Sequence, residues 1–256
     1  EMIKIGYSLI ESGHSNQGES QELILQSSKD LTNILISKVD KNFNDLKSIV
    51  GDSFSHIEKI HEKKVAFTGI PSGFSRLDNL LCGLQREDLI IIAGRPSMGK
   101  TTFAVDVMLN VALKQKLPVA FFSIEMGKNP VGIKLLCSHS GMSCQKIRSG
   151  NLKDDDWKVL NGSGSALYDN NLIFIDTLNK TPMQMRANIQ KLSLQIKEQI
   201  GLIVVDYIGL MKYGEKKEAR HVEVSEITGE LKSIAKEFNV PVLALCQLNR
   251  AFADRK

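Results

Sequence analysis

A chain of 256 residues that is 42% hydrophobic, 24% charged and poor in aromatics has an ordinary globular composition, enough for one large domain plus an appendage. No apolar stretch nears the roughly 18 residues needed to cross a bilayer, and Ile3, Ile5, Leu9 and Ile10 form no continuous secretory segment, so a cytoplasmic protein without membrane partners is expected. The net charge of +4 permits contact with a phosphate backbone without demonstrating it. Cys82, Cys137, Cys144 and Cys246 include no CxxC pair and sit among apolar residues, which reads as buried thiols.

Residues 1–66 are rich in Ser, Asn, Lys and Asp and contain no strand-like run. The stretch SGHSNQGES at 12–20 reads as a turn or loop. Leu31, Ile34 and Leu35 mark one helical pattern. A stronger one follows, in which Leu46, Ile49, Val50, Phe54, Ile57 and Ile60 keep a single apolar stripe. From residue 67 to 256 the texture changes. Apolar runs at 89–93, 118–124, 172–175, 202–205 and 241–246 alternate with helical patterns at 100–115, 129–140, 153–167, 182–199 and 222–238. Continuously apolar strands between helices predict an α/β fold, a mainly parallel sheet covered on both faces. The chain thus divides into a helical appendage, 1–66, and an α/β core, 67–256.

The first apolar run enters Gly94-Arg95-Pro96-Ser97-Met98-Gly99-Lys100-Thr101, which fits GxxxxGK[ST] without a mismatch and opens a helix. Glycines let the backbone close around phosphate oxygens, and the following helix adds its positive end. Lys100 can reach β- and γ-phosphates, and the Thr101 hydroxyl can ligate Mg²⁺. The pattern in its strand–helix context predicts a nucleotide site formed by Gly94 to Thr102, with ATP and Mg²⁺ as ligands. Strand ends along one edge of a parallel sheet face such a loop. Glu125, Asp176 and Asp206 follow three of the apolar runs, and Gln247 follows another. One acid is needed for Mg²⁺ and another for the attacking water, a task for which Glu125 has the longer reach. Pattern alone does not separate Asp176 from Asp206.

These residues carry a resemblance. TGIPSGFSRLD (68–78), GLQREDLIIIAGRPSMGKT (83–101), FFSIEM (121–126), IRSGNLKDDDW (147–157), VDYIGLM (205–211) and VSEITGELKSIAKEFNVPVLALCQLNR (224–250) resemble, in order, segments of the C-terminal motor domain of DnaB-type replicative DNA helicases. The match covers about residues 45–256. It implies a RecA-like P-loop NTPase fold behind a helical linker, and an enzyme that hydrolyses ATP to move along single-stranded DNA as a homohexameric ring. It also implies roles: Thr101 and Asp206 on Mg²⁺, Glu125 activating water, Lys100 on the phosphates, and Gln247 sensing the γ-phosphate. Asp176 falls where the family has no principal catalytic acid. Lys212, Lys216, Lys217 and Arg220 lie close to where ring helicases place a DNA-facing loop; they and Arg250 are DNA-binding candidates, although a solvated charge run is an equally good reading.

Three departures accompany the resemblance. Glu87 stands where the family commonly has Gly, and Gly209 where it usually has Gln, which leaves open how tightly that loop is held. The family's RESG-type loop, basic finger and primase-interacting N-terminal domain have no counterpart in these 256 residues, so a fragment is expected, with primase and loader contacts made elsewhere. A recombinase-like filament or clock-type ring that uses ATP to switch assembly, without unwinding, is the alternative function. The IRSG…DDW segment favours the helicase.

Overall fold

The computed structural model describes residues 45–63, 67–169, 172–178, 181–196, 198–212 and 220–248. Contacts divide the chain into two units, Glu1–Val65 and Ala66–Lys256. In the first, helix α1 (Leu46–Lys63) runs three residues beyond the 46–60 pattern. Asp45 starts it, its carboxylate accepting the Ser48 N–H at 3.2 Å. Leu46, Ile49, Val50, Phe54 and Ile57 are all exposed along it. The pattern at Leu31–Leu35 and the loop at 12–20 lie outside the described residues.

The second unit is built on five parallel strands, β1 (Leu89–Gly94), β2 (Val119–Ser123), β3 (Ile173–Asp176), β4 (Leu202–Asp206) and β5 (Val242–Gln247), in spatial order β1-β5-β4-β2-β3. All the pairs are parallel. Alternate side chains feed two apolar layers. Phe121, Leu202, Val204, Leu243 and Leu245 face one, with Met108 and Val111; Phe122, Ile203, Val205 and Ala244 face the other, with Met185, Ile189, Ile227 and Leu231. Each large side chain so buried contributes about 1.5–3 kcal/mol. This two-sided burial is why the central strands read as unbroken apolar runs.

The connecting helices are α2 (Ser75–Leu81), α3 (Lys100–Leu109, continued by a π-helical turn at Asn110–Lys114), α4 (Lys128–Ser140), α5 (Cys144–Ser149), α6 (Asp154–Asp169), α7 (Pro182–Gln195) and α8 (Arg220–Glu237). Sequence periodicity missed α2 and α5, which at seven and six residues are too short to show it. It also carried α7 to residue 199. The helix instead ends where Ile196 turns extended, which lets Ile200 enter the core before β4. Within TGIPSGFSRLD, buried Asp78 accepts the N–H groups of Ser72 (2.8 Å) and Gly73 (3.2 Å), while Asn110 Nδ2 donates to the Pro71 carbonyl. This segment therefore ties the start of the core to the phosphate-loop helix α3.

One expectation needs correction. Cys137 and Cys144 are not thiols but a disulfide joining α4 to α5, with Cα atoms 5.5 Å apart; a spacing of seven across a helix–turn–helix gave no CxxC signal. Of the other two, Cys82 is exposed and Cys246 partly so. How tightly the loop around Gly209 is held, which the sequence left open, is answered by its contacts. Leu210 N–H donates to Tyr207 O and Met211 N–H to Ile208 O, and the Ile208 and Met211 side chains are buried. A Cβ on Gly209 would come within 2.6 Å of the Tyr207 ring, so glycine here is what lets that ring lie on the turn.

Glu87 adopts φ +65°, the left-handed conformation in which a non-glycine residue is disfavoured by roughly 1–2 kcal/mol. Its turn is held through the backbone, Lys232 Nζ donating to the Glu87 carbonyl at 2.8 Å and to Asp88 Oδ1 at 3.0 Å. Glu87→Gly keeps both contacts. Glycine's extra freedom in the unfolded chain returns part of the gain, so a net stabilisation of up to about 1 kcal/mol is expected. Equilibrium denaturation checks it, and a lower midpoint would mean that the Glu87 side chain contributes more than its backbone costs.

Candidate nucleotide-binding site

Strand β1 delivers the chain at Gly94, and α3 begins at Lys100. Between them Ser97 (φ +62°) and Gly99 (φ +82°) turn left-handed, which curls successive backbone N–H groups toward one concavity. The first helical bond of α3 runs from Phe103 N–H to Gly99 O, 2.9 Å. The N–H groups of Lys100, Thr101 and Thr102 precede it and can serve an anion. Lys100 Nζ donates to the Gly94 and Arg95 carbonyls, each at 2.9 Å, and so sits folded along the loop it would leave for a phosphate.

The sheet edge supplies the opposite wall. Thr101 Oγ1 donates to Asp206 Oδ2 at 2.8 Å, joining the helix start to the end of β4. Asp206 is buried, and burial raises its carboxyl above the usual carboxylate range; the Thr101 hydrogen bond and the charges of Lys134 and Lys100 oppose this only in part. Glu125 follows β2 and is exposed; its N–H and that of Ile124 donate to the Asp206 carbonyl, at 3.4 and 2.8 Å. Gln247, the last residue of β5, is in register with Gly94, and Leu248 N–H closes onto the Gly94 carbonyl at 3.1 Å. Lys100, Thr101, Glu125, Asp206 and Gln247 line one cavity of about 330 Å³, within the range of small-molecule sites. Pro96, Ser97, Gly99 and Thr102 line it as well.

Not every expected residue faces this space. Gly94 and Arg95 contribute carbonyls to Lys100, whereas the Met98 side chain is 73% exposed and is absent from the lining. Asp176, which pattern left level with Asp206, stands on the edge strand two positions away. Its carboxylate accepts the Leu178 N–H at 2.8 Å and Asn188 Nδ2 at 2.6 Å, so it organises its own turn. Lys212 is exposed beyond buried Met211. Lys216, Lys217, Arg250 and the Arg220 side chain lie outside the described residues. Two lining residues went unnoticed in the sequence, Tyr207 and Lys134. Tyr207 directly follows Asp206. The available signal for Lys134 was a lone cation within the apolar VGIKLLC of α4. Two other clefts lie away from the phosphate loop: one along β3 and α7, lined by Lys128, Asp176, Asn188 and Lys191 among others, and a mainly apolar one between α4, α5 and α6.

The buried Asp206 carboxyl has a consequence for stability. With its pKa raised in the fold, the native state holds the proton more tightly than the unfolded chain does. Stability therefore falls as pH rises from the ordinary aspartate range through the raised value, and the cost persists at neutral pH. Asp206→Asn keeps an acceptor for Thr101 and removes the charge. It is expected to raise the melting temperature of the nucleotide-free protein at neutral pH, the advantage shrinking on acidification. A pH-independent difference in melts across that range would assign the effect to something other than ionisation.

The model of the DnaB-like helicase C terminal domain family matches residues 69–256. Replicative DNA helicase DnaC of Bacillus subtilis is 36% identical over all of this chain, and replicative DNA helicase DnaB of Geobacillus stearothermophilus 35%, each with 56% of its own length covered. The chain therefore spans a little over half the length of these curated relatives. Among solved structures, one described as an ATPase domain superposes with a TM-score of 0.74 at 29% identity, over 83% of this chain and 75% of its own. A DnaB-like replicative helicase described with its interactions with primase gives 0.76 at 26% identity, over 99% of this chain and 58% of its own.

Proposed function

The chain belongs to the DnaB-like helicase C-terminal domain family, a RecA-like nucleotide-binding fold, and from that membership we propose that it is the ATP-hydrolysing motor of a replicative DNA helicase. The observation that carries the reading is convergence: the phosphate loop, a hydroxyl–carboxylate pair and a second, exposed carboxylate meet in one cavity at the sheet edge. The loop N–H groups would hold the phosphates of ATP, and Lys100 would move from the Gly94 and Arg95 carbonyls to the β- and γ-oxygens. Thr101 and Asp206 form a partial shell suited to Mg²⁺, to be completed by phosphate oxygens and water; the bound ion would supply charge stabilisation of the phosphates. Glu125 would orient the attacking water and take its proton. Gln247, lining the cavity at the end of β5, would register the terminal phosphate.

The full protein would act as a hexameric ring around single-stranded DNA in the cytoplasm, gripping the backbone with little sequence preference. Lys212, Lys216, Lys217, Arg220 and Arg250 remain the candidates for that contact. Primase and a loader would bind through other parts of the protein. The names of the relatives favour this reading over ATP-switched assembly without unwinding. The test is strand displacement on a forked DNA by the intact protein with ATP and Mg²⁺. Nucleotide-dependent displacement is expected; ATP-dependent DNA binding with no displacement would overturn the motor assignment.

A further inference from the structure

The Cys137–Cys144 disulfide plays no part in the function proposed above. Cys137 lies in the last turn of α4, and Cys144 is the first residue of α5. Gly141 ends α4 with φ +70°, and Ser143 precedes α5, so a sharp turn brings the two Cα atoms to 5.5 Å, within the usual disulfide range. The two helices are held very differently. α4 buries Val131, Leu135 and Cys137, and its Ser138 donates a hydrogen bond to Asp106 of α3. α5 buries none of its six residues. Its Lys146 pairs with Asp156 of α6, but the lysine is 41% exposed, and an ion pair so open to water holds little. Ile147 of α5 lines the mainly apolar cleft together with Leu136 of α4 and Trp157 and Leu160 of α6.

We propose that Cys137 and Cys144 form a reversible redox modification site, opened by low-molecular-weight thiols of the glutathione class and closed by their disulfides, and that opening it frees α5 and with it the cleft. Access is one-sided, since Cys144 is partly exposed whereas Cys137 is buried. An incoming thiolate therefore attacks Cys144 Sγ; the S–S bond breaks, and Cys137 leaves with the electron pair and takes up a proton. A second thiolate attacks the small-molecule sulfur of the mixed disulfide and releases Cys144. Two small thiols are thus oxidised to one disulfide as the protein bond gains two electrons. The bond joins residues only seven apart, so the chain entropy it removes is at the small end. It clamps a turn, while Val131 and Leu135 keep α4 in the core without it. In a reducing setting such as the cytoplasm, disulfides are transient or redox-sensing.

Trp157 is the single tryptophan in these 256 residues and lines the cleft, so its emission reports on the cleft in the folded protein. The test equilibrates the native protein with mixtures of reduced and oxidised glutathione, alkylates free thiols under denaturing conditions and counts them by mass, and follows Trp157 emission over the same series. Two thiols beyond those of Cys82 and Cys246 are expected to appear as the mixture becomes reducing and to vanish again on oxidation, with Trp157 emission shifting in step. In the reduced form, amide exchange in α5 should quicken about tenfold or more while α4 stays within about twofold. Cys144→Ala, which cannot form the bond, should show the reduced emission in every mixture. A pair that stays bonded until the protein unfolds is a permanent staple and overturns the proposal, as do two thiols that stay free in the most oxidising mixture. Reduction that changes neither Trp157 emission nor α5 exchange overturns it as well.

Discussion

Glu125→Gln is expected to leave nucleotide affinity within about twofold of the parent and to slow hydrolysis by about 10²–10⁴, the range that a positioned general base contributes. The separation follows from where Glu125 sits. It begins the turn after β2, exposed at the cavity, and it is anchored through its backbone N–H to the Asp206 carbonyl. Glutamine preserves that anchor and the side-chain shape but cannot take a proton from water. Lys100→Ala behaves differently, since it removes the charge that would sit on the β- and γ-phosphates and the two bonds that shape the loop. Both affinity and turnover should fall, affinity by about tenfold or more. Steady-state ATPase and fluorescent-nucleotide binding on the intact protein distinguish the two patterns. Comparable turnover in Glu125→Gln and the parent would remove Glu125 from the chemistry.

The phosphate loop was legible because its sequence is its mechanism: each glycine and the Lys-Thr pair answer a requirement set by phosphate geometry. The parallel sheet was legible for a related reason, since strands buried on both faces leave unbroken apolar runs such as Leu202–Val205. Asp206 and Asp176 show where local pattern stops. Each ends an apolar run, and what separates them is strand order, with β4 between β5 and β2 and β3 at the edge. Strand order is a property of the chain's long-range pairing, which four residues cannot encode. Lys134 was hidden for the converse reason. Its helix presents it to the site only because α4 packs on α3 through the Ser138–Asp106 contact, 32 residues apart in sequence. The Cys137–Cys144 pair depends likewise on the turn that folds α5 back. Glu87 is the intermediate case: its departure from the family's glycine was visible, and the left-handed backbone explains why glycine belongs there.

Phe54→Asp is expected to dissociate the proposed ring while leaving each subunit folded and able to bind nucleotide. Helix α1 places Leu46, Ile49, Val50, Phe54 and Ile57 along it, all exposed, with Phe54 at 63%. Such a stripe is more than scattered surface apolarity, because each of these side chains would contribute about 1.5–3 kcal/mol on full burial. We propose that it is buried against a neighbouring copy. Contact of one surface with a different surface on the next copy closes into a ring when the rotation repeats, and so one stripe is used at every seam. An aspartate at position 54 costs the single chain little, since the site is already in water. In a closed seam the same charge costs several kcal/mol, and every 1.4 kcal/mol is about a factor of ten in association. Sedimentation velocity on the intact protein should therefore show loss of the hexamer with an unchanged melting temperature for the dissociated chain. Ile57→Asp, one turn further along the same stripe, should act in the same direction. If both variants sediment as the parent does, the stripe lies outside the seam and the ring must close through other surfaces.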